Sequence, residues 1–410
     1  MKTLSKSLLA TFLMIFTGLI LAKGDRTAAA AAFVHPGLLH SDADFARMKE
    51  HLHDAPWDAG WQRLIANPHA SLNWKPHPAA IVYRGRDAKA THPENYASLF
   101  NDIAAAYACG LRWRISGDTA YADKSVEIMN AWSSTLTKIT GSSDEALAAG
   151  IYGYEFANAA EIMRSYPGWK PGDFARFQGM MLNVFYPMNH DFLTLHHNTK
   201  IDHYWANWDD CNLDSMLAIG VLCDRRDIYN EAIDYFKFGK GNGAIEQAVY
   251  FIHPDNLGQW QESGRDQGHT MMGVGMVGAF CEMTWKQGDD MYGYDNNRFL
   301  AGCEYIAKYN LGEDVPFKPY VDSLANQPVI SSNSRGNLRP VWELVYNHYV
   351  KLKGLSAPYT TRMAAKVRPE GGGGDYGPNS GGFDQLGYGT LTATLPDTPA
   401  APHVSDATHP

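Results

Sequence analysis

The densest run of chemically capable side chains is Gln259-Trp260-Gln261-Glu262-Ser263-Gly264-Arg265-Asp266-Gln267-Gly268-His269, followed at once by the apolar segment 271–280. An indole, carboxylates, amides, a guanidinium and an imidazole stand where a helix enters a core. Such a mixture suits a site that stacks a sugar ring and grips its acid group. Arg265 and His269 are four apart and share one helical face. Glu262 reads either as a helix N-terminal carboxylate or as the partner that orients Arg265. A structural ion pair and a satisfied core histidine are the competing readings of Arg265 and His269.

Three further groups stand out. In His203-Tyr204-Trp205-Ala206-Asn207-Trp208-Asp209-Asp210 an amide sits between two indoles at the start of an apolar helix. Asn207 either caps that helix or aims its amide into a cleft. In Tyr292-Gly293-Tyr294-Asp295-Asn296-Asn297-Arg298 and the helix beyond it, Arg298 and Tyr305 are seven apart and lie on one face, roughly 10 Å apart along the axis. Arg339 and Tyr346 repeat that spacing, and spacing alone does not rank the two pairs. His190, His196, His197 and His203 form a histidine-rich stretch without a zinc-ligand pattern, so no metal or other cofactor is expected. Nucleophile-elbow and phosphate-loop motifs are missing from the sequence.

The elements that must position these groups are helical almost throughout. Apolar periodicity predicts helices over 42–53, 57–66, 96–116, 119–135, 146–165, 171–186, 203–223, 227–238, 243–251, 265–285, 296–309 and 340–353. Ser116-Gly117-Asp118 punctuates two of them, and Pro171 suits a first helical turn. Short connections make successive helices antiparallel. An array of helical hairpins of this length closes into an all-α (α/α) toroid or incomplete barrel, with the most apolar stretches, 213–223 and 271–280, innermost. Residues 370–385 are glycine-rich and non-helical. Tyr376, Phe383 and Tyr388 interleave with the glycines, which predicts an ordered loop against the body rather than a loose tail.

The start of the chain reads separately. Lys2 and Lys6 precede an apolar run, 8–21, too short to span a bilayer, and small residues follow. Residues 1–32 are therefore expected to be an export signal, a retained anchor being the alternative. Residues 33–395 are expected to be one catalytic domain, secreted or periplasmic, and 396–410 a Pro/Ala/Thr-rich tail. A net charge of −9 argues against nucleic acid as a partner but leaves room for a basic groove that takes a polyanion. The five cysteines show no CxxC spacing and read as buried small hydrophobes rather than disulfides.

Taken together, the run Asn207-Trp208-Asp209 to Cys223, QWQESGRDQGH (259–269), YGYDNNRFLAGCEYIAKYN (292–310) and DYGPNSGGFDQLGYGTL (375–391) resemble alginate-lyase-like polysaccharide lyases. GIYGYEFANAAE (150–161) and IMNAWS (128–133) are similar to that family too. The resemblance covers about 35–390 and implies an (α/α) toroid. It also implies β-elimination beside a uronic acid, with mannuronate-rich alginate or glucuronan as substrate. Removing the C5 proton of a uronate builds a second charge on an acid that is already negative. Asn207, His269 and an arginine, Arg265 or Arg298, are expected to offset it.

The resemblance further implies a tyrosine as both base and acid. Free tyrosine titrates near pH 10, so a nearby guanidinium helps, and Tyr305 with Arg298 meets that need. Relatives carry their tyrosine within a dozen residues after the arginine or histidine of this region, yet 271–280 holds none. Tyr204, Tyr294, Tyr346 and Tyr376 therefore stay open as substitutes. Trp208, Trp260, Gln261, Glu262 and Tyr294 are the expected substrate contacts. An inverting hydrolase using Asp209 or Asp210 with Glu262 or Asp266, and a non-catalytic glycan-binding protein, are the rival functions.

Overall fold

The computed structural model describes residues 32–86, 92–376 and 383–397. All but the last residue of the expected export signal, and all but the first two residues of the expected tail, lie outside them. No described helix is long and apolar enough to cross a membrane. The described residues from Phe33 onward form one compact unit.

The unit starts with α1 (Asp42–Glu50), α2 (Trp57–Ala66) and a strand, β1 (Ile81–Arg84). Then come α3 (Tyr96–Ser116), α4 (Thr119–Ser133), β2 (Lys138–Gly141) and α5 (Glu145–Met163). Helices α6 (Pro171–Met180), α7 (Tyr186–Leu195), α8 (Ala206–Leu222) and α9 (Arg226–Phe238) follow. A short α10 (Ile245–Ala248) leads to the hairpin β3 (Phe251–His253) and β4 (Leu257–Gln259), and then α11 (Gln267–Lys286) and α12 (Tyr294–Asn310). Last are a small hairpin, β5 (Tyr320–Val321) and β6 (Asn326–Gln327), and α13 (Trp342–Tyr346), α14 (Pro358–Val367) and α15 (Gly389–Thr392).

Paired helices in this order make an (α/α) toroid. Burial separates its layers. Every residue of α8 and all but Glu145 of α5 are buried, so these two are inner helices. In α9 only the stripe Ile228, Tyr229, Ala232, Ile233 and Phe236 is buried, the pattern of a helix with one face to water. α5 lies hard against α8, and two glycines set the distance. A Cβ on Gly150 would meet the Cys211 side chain and come within 2.9 Å of the Asn212 backbone nitrogen; one on Gly153 would meet Ser215.

Several expectations need correction. Residues 171–186 do not end a helix: a wider π turn at Met181–Phe185 carries α6 on into α7. Residues 243–251 are helical only over α10 and then turn into β3. Asp295, Asn296 and Asn297 take left-handed φ angles of 46°, 55° and 60°, a conformation that Asn and Asp tolerate best after glycine, so the right-handed part of α12 begins near Arg298. The strands were missed because each is only two to four residues long. β1 and β2 pair in parallel, Arg84 opposite Gly141, and this pairing reaches the site described below. The five cysteines are free and four are buried. The glycine-rich segment is ordered where described: Gly372 bridges Gly387, and Phe383 and Tyr388 are buried.

Replacing Gly150 by valine is expected to lower the thermal midpoint, by about 1–3 kcal/mol of overpacking at the α5–α8 contact. Gly172→Ala is the control: nothing lies within 4 Å of its added methyl, and its midpoint should hold or rise.

Candidate active site

A cavity of about 280 Å³ opens where four helices begin. Tyr96 is the first residue of α3, Asp144 the residue before α5, Asn207 the second residue of α8 and His269 the third of α11. All four line the cavity, with Arg84 from the end of β1, Arg265 from the turn before α11, and Trp208 and Met272 beside them. Aligned peptide dipoles make each helix start electropositive, although the first N–H groups of α5, α8 and α11 are already bonded within the fold. Four helix starts and two guanidiniums at one space favour an anionic ligand, and the carboxylates of Glu94 and Asp144 in the same lining offset part of that charge.

The floor is built on a buried carboxylate. Glu262 is fully buried; its Oε2 accepts the backbone N–H of Asn207 at 3.3 Å, and its Oε1 accepts from Arg265 Nη1 at 2.6 Å. Gln261 Oε1 accepts the N–H of Ala206 at 3.1 Å. These two residues were expected to touch substrate. Their polar atoms are instead spent on capping α8 and fixing Arg265, so they position the site from behind. Asn207, 2% exposed, keeps its side-chain Oδ1 without a hydrogen bond among the described residues. A buried polar atom so placed is costly unless a ligand or water meets it.

Asp266 caps α11 by accepting the His269 N–H at 2.8 Å, and its Oδ2 lies 2.7 Å from His269 Nδ1. His269 Nε2 lies 3.2 Å from Arg265 Nη2. A guanidinium only donates, so in this arrangement Nε2 accepts and the Nδ1–H goes to Asp266. Burial would raise the Asp266 pKa, but the His269 bonds and charge and the Arg265 charge outweigh it and hold it below the ordinary carboxylate value. The Arg265 guanidinium also lies 4.8 Å from the Trp205 ring centroid, a cation–π contact that steadies it at the cavity edge.

Opposite stand residues that the sequence reading passed over. Arg84, 5% exposed, donates to the Tyr152 hydroxyl at 3.2 Å and lies 5.1 Å from the Tyr96 ring centroid. Burial works against its charge and is outweighed by Tyr152, Asp384, Tyr96 and Asp144, which raise its pKa. The Tyr96 hydroxyl has no hydrogen bond among the described residues. The signal for this wall was the run Ile81-Val82-Tyr83-Arg84-Gly85, a β-branched and aromatic strand closed by glycine.

The structure thus brings Asn207, Trp208, Arg265 and His269 together and leaves other expected residues elsewhere. Tyr305 is 1% exposed and donates to the Pro316 carbonyl at 2.9 Å; burial pushes its hydroxyl far up. Arg298 donates to the Val249 carbonyl and pairs with Asp295 at 2.7 Å, so its charge is spent away from Tyr305. Trp260 is fully buried behind α11, where a Cβ on Gly273 would strike its ring. Tyr294 points its hydroxyl to the Lys237 carbonyl at 3.5 Å. Seven-residue spacing gave a shared helical face but not the direction of that face, which here is the packed side of α12.

The residues considered for a hydrolase or a metal are also dispersed. Asp209 serves His196, Tyr235 and Gly243 inside the fold, and Asp210 is buried beside Asp214. His190 meets Glu231 at 2.7 Å and His197 meets the Tyr204 hydroxyl at 2.9 Å. Among the described residues no group of three or more metal-ligating side chains occurs.

Comparison with known proteins gives these features a family. The alginate lyase family model matches residues 54–316. The fold is similar to a crystal structure of an alginate lyase from Bacteroides ovatus, with a TM-score of 0.60 and 13% identity over 88% of this chain and all of the other. Alginate lyase A1-III from Sphingomonas species A1 is similar at a TM-score of 0.58 and 14% identity, over 89% of this chain and 98% of the other. A variant of that A1-III enzyme has been solved with a tetrasaccharide, at a TM-score of 0.56 and 14% identity over 88% of this chain and 98% of the other. No curated protein sequence matches the chain. The chain belongs to the alginate lyase family. It is a polysaccharide lyase.

Two outcomes test the geometry. Glu262→Gln removes the counter-charge of Arg265 without changing size; a stability loss of about 2 kcal/mol in chemical denaturation is expected, with a marked fall in turnover. For Asp266 the folded pKa lies below the unfolded one, so its contribution is present above about pH 4 and lost as pH falls through the folded value. The stability gap between the native protein and Asp266→Asn should therefore be flat near neutrality and close on acidification below pH ~4, as melts across that range would show.

Proposed function

We propose that this lyase cleaves mannuronate-rich alginate or glucuronan by β-elimination and acts outside the cytoplasm after export through residues 1–32. The observation that carries the substrate is the cavity at which four helix N-termini meet Arg265 and Asn207. Its guanidiniums and helix starts favour an acid group, and every residue of a polyuronate bears one. The tetrasaccharide bound by a variant of the A1-III neighbour supports a chain of sugars as the ligand.

The sugar carboxylate enters with its oxygens toward Arg265 and the Asn207 amide. His269, oriented by Asp266, accepts from Arg265 through Nε2 and so holds that guanidinium in place for the sugar acid. As the C5 proton departs, charge grows on that carboxylate, and donors already in place stabilise it without reorganising. Tyr96 is the proton carrier in this reading. It lines the cavity and its hydroxyl is uncommitted. Arg84 supplies positive charge behind its ring as the oxygen passes through its anionic form. The phenolate takes the C5 proton, the electron pair forms the C4–C5 double bond, the C4–O bond breaks, and the tyrosine returns its proton to the leaving oxygen. Trp208, at the cavity edge and packed on Tyr204 with centroids 4.6 Å apart, offers the sugar an apolar face.

Incubation with polymannuronate, polyguluronate and glucuronan separately, followed by ultraviolet absorbance of the unsaturated product, is the test. A rise on polymannuronate or glucuronan is expected, and Tyr96→Phe should cut kcat by about 10²–10⁴-fold with little change in KM. Asn207→Ala should cost about 10²–10³-fold in kcat. New chain ends without absorbance would remove elimination. Full activity in Tyr96→Phe with loss in His269→Asn would move the base to the Asp266–His269 pair.

A further inference from the structure

One charged side chain in the active-site cavity has no part in the chemistry assigned so far. Asp144 lines the cavity with Arg84, Glu94 and Leu147. It is the residue before α5, the position at which an aspartate ordinarily accepts a hydrogen bond from the first turn of its helix. Here that bond is not made. Only the backbone of Asp144 is engaged: its N–H donates to Ser142 Oγ at 3.3 Å, and its carbonyl accepts from Ala148 at 3.1 Å. The carboxylate has no hydrogen bond or ion pair among the described residues.

Its place is fixed from behind. A Cβ on Gly85 would come within 3.0 Å of Asp144 Cβ and would strike Ser142 Oγ, so the end of β1 packs directly on this residue. Glu94 Oε1 accepts the Gly85 N–H at 2.5 Å and holds the same turn. Asp144 is half-buried, close enough for its charge to be felt by Arg84 and by the Tyr204 hydroxyl. It therefore belongs to the wall of Arg84 and Tyr96, across the cavity from Arg265.

A carboxylate facing an acidic polymer lowers affinity through like charge unless the ligand brings it donors. A uronate ring brings them. C2 lies directly across the ring from C5, so a ring whose C5 acid meets Arg265 and Asn207 turns its C2 and C3 hydroxyls toward the far wall. A carboxylate accepts two hydroxyls at once, and hydrogen bonds to a charged group are the strong ones. We propose that Asp144 is a specificity-determining residue, which accepts from the free C2 and C3 hydroxyls of the uronate held at Arg265 and so selects chains whose rings carry no ester at those oxygens. The assignment deepens the uronate-lyase reading of the site and rests on it. An acyl group on either oxygen removes the donor and places bulk against Gly85 and Ser142. Acylated chains are then cleaved well only after ester hydrolysis.

The test takes the polymer that the native chain cleaves, polymannuronate or glucuronan, and compares it with the same polymer after chemical O-acetylation of its ring hydroxyls, by ultraviolet absorbance of the unsaturated product. The native protein is expected to show a kcat/KM lower by about tenfold or more on the acetylated chain. Asp144→Ala should raise KM on the free polymer by a similar factor with kcat held, and should lose most of the discrimination. Asp144→Asn keeps an acceptor oxygen and should fall between the two; it serves in place of the alanine variant if circular dichroism shows that one unfolded. A KM that falls or stays level in a folded Asp144 variant would overturn the proposal, because a carboxylate that only repels the polyanion gives that sign. A preference for the free polymer that persists unaltered in the variant would overturn it too. Failure of the lyase reading looks different: the native chain then gives no absorbance on any uronate polymer, and the proposal falls with it.

Discussion

The Glu262 carboxylate, inside the fold between α8 and α11, is shared by the two halves of the active site. One oxygen holds the backbone of Asn207 and the other holds Arg265. A buried carboxylate is tolerated only when its charge is paired and its oxygens are hydrogen-bonded. Here the requirement is met by Asn207 and Arg265, the groups proposed to contact substrate. The amide of one helix start and the guanidinium before another are thereby set in a common frame. Asp266 extends that frame by one step, since it caps α11 and orients His269 with the same side chain. Preorganisation of this kind lets donors meet developing charge without moving.

The toroid supplies what the side chains alone lack. Inner helices that are buried on every side reach open space only at their ends, so the polar groups within reach of a ligand sit there, while the carboxylates along their length, Glu155, Glu161, Asp210 and Asp214, stay inside the fold. α5 and α8 show this: their bodies pack through Gly150 and Gly153, and their N-termini open on the cavity. The strand pair β1–β2 closes the far wall and delivers Arg84 beside Tyr96. The direction of the helix dipoles makes the open end receptive to acids, in keeping with the acidic polymers that give the family its name.

Much of this was legible in the sequence. Helical periodicity over long segments pointed to the all-α toroid, and the unusually apolar stretches 213–223 and 271–280 pointed to inner helices, which are buried on nearly every side. The QWQESGRDQGH run and the Asn207–Trp208 pair gave one side of the site, because polar groups at a helix entry are unusual. The other side was hidden. Arg84 sits on a four-residue strand whose pairing with 138–141 spans more than fifty residues, and Tyr96 looked like any aromatic at a helix start. Tyr305 illustrates the opposite error: a helical face is readable from spacing, but whether it meets solvent or core depends on how the chain beyond the helix folds back, here to place the Pro316 carbonyl against it. Gln261, Glu262 and Trp260 were found as a cluster and misassigned in role, since composition does not distinguish a residue that touches a ligand from one that holds the residue that does.

The central claim is that the convergent helix ends with Arg265 and Asn207 bind the acid group of the sugar. The most direct test compares affinity for a uronate tetrasaccharide with that for the same chain after its carboxylates are reduced to alcohols, using Tyr96→Phe to suppress turnover. The account predicts binding weaker by about tenfold or more for the neutral chain, one charge-assisted contact being worth about 1.5–3 kcal/mol. Equal affinity for the two would contradict it.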